Sequence, residues 1–222
     1  MENKKYEILE YDFILHKGKK LYRIRSLKKI IFGIVEIPEG SLGGYIEGYH
    51  NLSQEGTCWI YEGVKVYDNA RVENTAIVFG YAEIFGNAVV KDDARVRDRA
   101  KVYGNAVIKD DAMVVEDARV YGNAVVKDYA KVDNNAKARG NARIGDHAEI
   151  YHSAEIFGSA EISGIAEVRY LARVYGNATV DGEAGVFGSA KVYGNAVIRG
   201  IAKVGGSTII SEGLISEGLH KS

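Results

Sequence analysis

Proline and cysteine are almost missing from this chain of 222 residues, with one of each, Pro38 and Cys58. A single cysteine excludes an intramolecular disulfide framework and a cysteine-based zinc site. Histidine is sparse as well, five residues with no HxH or HExxH spacing, so no metal and no cofactor is expected. Charge of one sign is also lacking. The 29 Lys and Arg against 30 Asp and Glu leave a formal charge of −1. That balance gives no bulk basic footprint, and specific nucleic-acid binding is not expected. The longest nearly apolar run, Ile30 to Ile37, is far shorter than a bilayer-spanning helix needs, so no membrane association is expected. The opening MENKKYEILEYDF carries charges throughout and has no apolar stretch. No signal peptide is expected there, and a cytoplasmic location is the default.

Alanine is absent before Ala70 and after Ala202, and between them it is strictly periodic. It recurs every sixth residue, 23 times in one register without a gap, with only Ala138 outside it. Two residues after each comes Val or Ile, as in Val102, Ile108 and Val114, the one exception being Ala138. Upstream, Leu52, Cys58 and Val64 occupy the alanine column. A helix cannot use this unit, because six residues turn it by about 600° and successive alanines would face different ways. In an extended chain, positions i and i+2 share a side. Ala and Val therefore point inward, the residue between them points outward, and the next three make a corner. Gly, Asn and Asp crowd those corners, the residues that tolerate left-handed backbone.

A second period of 18 residues lies on the first: Tyr103-Gly104-Asn105 returns as Tyr121-Gly122-Asn123 and again as Tyr175-Gly176-Asn177. Three hexads per turn make a triangular coil. The fold class predicted is all-β, a parallel β-helix of about nine triangular coils with a small N-terminal β cap. At about 4.8 Å per coil the prism is roughly 40 Å long. Residues 1–50 lack the repeat and form the predicted cap. Strands are expected on either side of His16 to Lys20, and a third over Lys28 to Glu36. The cap protects an otherwise open strand edge, and Trp59, outward on the first coil, is expected to pack beneath it. Residues 51–206 form the solenoid, and 207–222 a last coil and tail.

The small-x-aliphatic hexad resembles the hexapeptide-repeat proteins. The wording Gly43-Gly-Tyr-Ile-Glu-Gly, then Asn51-Leu-Ser-Gln-Glu-Gly, then repeated A-x-V-Y-G-N, is similar to the YdcK-like β-solenoid group. The resemblance runs from about Gly43 to Gly206. It implies a left-handed coil, a frequent occurrence in bacterial and phage or prophage genomes, and a homotrimer. It also implies a transferase label that rests on fold analogy.

Equivalent positions on successive coils form ladders. Tyr67, Phe85, Tyr103, Tyr121, Arg139, Phe157, Tyr175 and Tyr193 make the most visible one. Two residues earlier runs a mostly cationic ladder from Lys65 to Lys191, interrupted by Glu83 and Glu155. Together they suggest either cross-strand packing or a surface for a polyanion, a sugar chain or a nucleotide, with the rings as stacking platforms. Arg139 suits a cation–π rung. On another face, Val89, Val107 and Val125 make an exposed stripe, the expected oligomer contact. The asparagine ladder reads as left-handed corners with bonded amides. The repeat departs from its own rule between Tyr129 and Arg173. Asp133, Arg139, His147, Tyr151, His152, Arg169 and Tyr170 are therefore the candidate ligand-binding residues, since Arg and His beside tyrosines can hold a phosphate or carboxylate.

The function expected is a non-catalytic binding module, in a phage-related setting, gripping a host protein or a small anionic ligand. The alternative is an acyltransferase-like enzyme with an acyl-CoA donor, which the hexapeptide resemblance implies. Such enzymes pair a general-base histidine with a loop leaving the solenoid, whereas no residue is inserted here from Ala70 to Ala202. No catalytic residue is assigned.

Overall fold

The computed structural model describes residues 4–222. Each hexad forms a two-residue strand and a corner, and strands one coil apart pair in parallel, as in Lys101↔Arg119 and Val102↔Val120. Every alanine of the register is 0% exposed, and the Val column, Ala138 included, is at most 1% exposed from Val66 to Val204. Small and branched side chains alternating along the chain leave only enough interior for themselves.

Three faces result. The lysine face carries Lys65, Glu83, Lys101, Arg119, Lys137, Glu155, Arg173 and Lys191 outward. The valine face carries Val89, Val107 and Val125 in direct register. The third face begins with Trp59, Ile77 and Arg95. Two faces have ten rungs and the valine face nine. The extra rungs over the expected nine coils come from segments without alanine. Leu42–Ile46 pairs in parallel with Lys65–Val66, and Leu214–Ile215 and Leu219–Lys221 continue two faces at the far end.

The corners need left-handed backbone at their second residue. At Gly104 φ is +71°, and a Cβ there would lie 2.9 Å from the nitrogen of Gly122 one coil on. Glycine is the residue that meets both demands. Where the second residue is Asp, its carboxylate in most cases accepts from the backbone of the next coil, as Asp68 does from Gly86 N–H at 3.0 Å, while Asp92 accepts from the Asn74 amide instead.

The N-terminal segment is a hairpin, β1 (Tyr6–His16) and β2 (Lys19–Ser26), joined by Lys17 and Gly18, both at positive φ. That two-residue loop suits the twist of paired strands. Strand β2 pairs antiparallel with Leu42–Ile46, so the hairpin extends the lysine-face sheet and closes its edge. The expected third strand over Lys28 to Glu36 is instead a small hairpin, β3 (Ile30–Phe32) and β4 (Val35–Ile37), turning at Gly33 with φ +56°. A single strand there would have left Ile30 and Ile37 at opposite ends, whereas the turn pairs them and buries both. Trp59 is buried in the same apolar cluster, at 1% exposure.

Two buried polar residues tie the cap to the first coil. Lys5 donates to the carbonyls of Glu55 and Cys58 and contacts Cys58 Sγ at 3.1 Å. Asn51 donates to the carbonyls of Asp68 and Ala70 while accepting from Glu47 and Gly48. Both satisfy backbone groups that the irregular first coil would otherwise leave unpaired.

Candidate binding groove and corner cluster

The aromatic ladder stands along one edge of the lysine face. Its rings lie parallel to within 1–3° from Tyr67 to Tyr121, with centroids 4.7–5.1 Å apart. Phe157, Tyr175 and Tyr193 continue the stack at 4.6 and 4.9 Å. Ring faces inside each stack are therefore covered by neighbouring rings, which leaves only the stack ends, such as Tyr193, as stacking platforms. Rungs one strand spacing apart leave each ring no other place to lie. Arg139 sits in the gap with its guanidinium 4.2 Å from the Phe157 centroid. The asparagine amides bond in sequence from Asn69 to Asn141 at 2.9–3.0 Å.

The opposite edge of the lysine face is a groove of about 560 Å³. Its floor holds Arg119, Lys137, Glu155, Arg173 and Lys191, and its wall holds Asp117, Asn135, Ser153, Leu171 and Ser189. A second hollow of about 540 Å³ continues it toward Lys65 and shares Asp117, Arg119 and Asn135. Glu155 takes Lys137 at 3.0 Å and Arg173 at 3.9 Å, which draws its carboxyl below the usual range, chiefly through the Lys137 hydrogen bond. Among the described residues, Arg119 and Lys191 have no carboxylate within 4.0 Å. Both are exposed and free to meet an anion.

The seven residues of the irregular stretch do not converge. Arg139 belongs to the aromatic edge, and His147 to the corner between the valine and third faces, stacked on Tyr129 at 4.8 Å. Asp133, Tyr151, His152, Arg169 and Tyr170 do share one corner, between the third face and the lysine face. There Asp133 is taken by Lys131. Arg169 donates to the Tyr151 hydroxyl at 2.9 Å and pairs with Glu167. Tyr151 in turn donates to Glu167 at 3.0 Å. Burial pushes the Tyr151 hydroxyl pKa up, and the Tyr151 bond keeps the Arg169 guanidinium firmly charged. Arg169 Nε is buried without an acceptor. His152 and Tyr170 stack at 4.5 Å, 7° from parallel, and both remain exposed. A hollow of about 330 Å³ lies against them. The groove's cations, Arg119, Lys137, Arg173 and Lys191, appear in the sequence as a ladder, but the depth beside them depends on the short wall residues of the neighbouring corner.

Residues 172–188 match the family model described as YdcK Beta solenoid repeat. The chain carries a YdcK β-solenoid repeat. The matched stretch covers the Arg173, Thr179 and Gly185 rungs, nearly one whole coil, and so includes part of the groove floor. No curated protein matches the chain significantly. The regular rungs on either side of the match repeat its Ala-x-Val geometry.

Proposed function

We propose that the protein is a non-catalytic binding module that holds an anionic ligand in the groove of its lysine face. The observation that carries this reading is the groove itself: Arg119, Lys137, Arg173 and Lys191 along one floor, on a chain whose formal charge is −1. Four cations against Asp117 and Glu155 concentrate positive charge where the whole molecule has none to spare. Hydrogen-bonded rungs fix the backbone spacing of these positions, so binding orders side chains but not backbone. A host protein would engage the same groove through an acidic surface. The setting we propose is a cytoplasmic, phage-related one, with a homotrimer formed through the valine stripe.

The acyltransferase-like alternative has less support. Both solenoid-body histidines, His147 and His152, lie in ring stacks with tyrosines. Intact mass after incubation with acetyl-CoA and amines tests it directly.

The binding reading is checked by calorimetry with tripolyphosphate at two salt concentrations. Binding is expected to weaken as salt screens the groove. The double change Arg119→Ala and Lys191→Ala is expected to weaken it at least about tenfold, each lost charge-assisted bond contributing about 1.5–3 kcal/mol. Equal affinity in the double variant overturns the reading.

A further inference from the structure

We propose that the corner at Tyr170 is a nucleotide-binding site, with the base against the Tyr170 ring and the phosphate at the end of the groove beside Arg173 and Lys191. The proposal rests on the reading of the lysine-face groove as an anion site.

The first observation is backbone strain. From Asp68 to Gly206 the second residue of every corner has positive φ. It is Gly, Asp or Asn everywhere except at Glu116, His152 and Tyr170, where φ is +57°, +58° and +63°. A bulky aromatic in that conformation is disfavoured, and strain of this kind collects at functional positions. Ring stacking does not require it. Tyr103 on Tyr121, and Tyr129 on His147, stack from corner positions outside the left-handed region. His enters this region more readily than other bulky residues, so the unexplained ring is that of Tyr170, which stacking alone does not require there.

The second observation is an open ring. Among the described residues, the aromatic ring stacked on Tyr170 is that of His152, on one side, and the Arg169 guanidinium lies 5.8 Å from the Tyr170 centroid. The next residue in the column is Gly188, which has no side chain to cover the other side, and Tyr170 keeps 48% of its surface. The adjoining hollow of about 330 Å³ is lined by His152, Ser153, Tyr170, Leu171, Gly188 and Ser189.

The third observation is continuity. Ser153, Leu171 and Ser189 line both this hollow and the groove, so the two join along that wall. Lys191 follows Gly188 by three residues, a reach of about 10 Å at most. A partly open ring beside unpaired Lys191 and half-engaged Arg173, with polar Ser153 and Ser189 between them, matches a flat base linked to a phosphate through a ribose. Base–aromatic stacking and charge-assisted contacts are the chemistry such a ligand uses.

The test is calorimetry with AMP, ribose 5-phosphate and tripolyphosphate on the native protein, Tyr170→Asn and Tyr129→Ala. Asparagine is native to this corner position, at Asn74 and Asn134, so the fold tolerates it. AMP is expected to bind more tightly than ribose 5-phosphate. Tyr170→Asn is expected to weaken AMP about tenfold or more, with ribose 5-phosphate and tripolyphosphate unchanged and the melting temperature held or raised. Tyr129→Ala is expected to leave AMP unchanged. Equal affinity for AMP and ribose 5-phosphate, or unchanged AMP affinity in Tyr170→Asn, overturns the nucleotide site. If tripolyphosphate still binds in that case, the groove reading stands alone; if it does not bind the native protein, both fall.

Discussion

Glu83 shows how one residue joins segments far apart in sequence. Its carboxylate accepts from Lys17 at 2.8 Å in the β1–β2 turn and lies 3.3 Å from Lys101 one coil on. Tyr67 donates to it at 3.2 Å. Burial alone raises its pKa, but the Lys17 hydrogen bond and the two lysine charges outweigh burial and hold it at about 2, against 4.5 unperturbed. A folded pKa below the unfolded one stabilises the protein above the unfolded value, and that contribution fades as pH falls through the folded one. Glu83→Gln is therefore expected to lower stability at pH 7 by on the order of 2 kcal/mol. The gap between variant and native protein should close between pH 4.5 and about 2. Chemical denaturation across that range checks it; a gap independent of pH contradicts the assignment. The sequence marks Glu83 only as a break in the cationic ladder; its partner Lys17 lies 66 residues away and nothing in the sequence pairs them.

Among the elements, the two-residue strand is the unit, and it has no stability alone. Each strand is held by the coil before and the coil after, so array stability is close to a sum over neighbours. Val120 is 0% exposed between Val102 and Ala138 on its face. Val120→Asp buries an unpaired carboxylate, with an expected loss of roughly 3 kcal/mol or more. Because neighbours couple locally, the array should split at this coil, and hydrogen exchange should show the coils flanking residue 120 opening first. Uniform protection with unchanged melting would contradict the inward placement. The cap differs from these strands. Its first hairpin was legible from turn residues, but the second, turning at Gly33, was not, since the run Ile30 to Ile37 reads equally as one strand. Burial of Ile30 and Ile37 in the cluster that holds Trp59 chooses the hairpin.

For the whole molecule, the open question is what covers the faces. The valine stripe is half-buried within one chain, with Val89, Val107 and Val125 in register. If it joins subunits, as we propose, changing all three to Lys gives a folded monomer by light scattering, with an unchanged β spectrum. Retention of the native mass, or a native protein that is already monomeric, removes the stripe from the interface. The lysine face has a different fate: its hairpin-covered start ends near Glu83, and the groove beyond it stays open.

The coil was determined by sequence alone, because an inward pair every six residues admits only extended strands with corners between them. The inward columns, the ladders, the Arg139 rung on Phe157 and the bonded asparagines all follow from that register. The site does not follow. Residues six apart lie on different faces, and residues 18 apart lie together, so a cluster in sequence such as Asp133 to Tyr170 is divided among three corners. Only stacking revealed that rings inside the ladder cover one another while the Tyr170 ring has its ring partner, His152, on one side and Gly188 one coil on at the other. That difference depends on whether the neighbour one coil on has a side chain, a contact between residues that only the closed turn brings together.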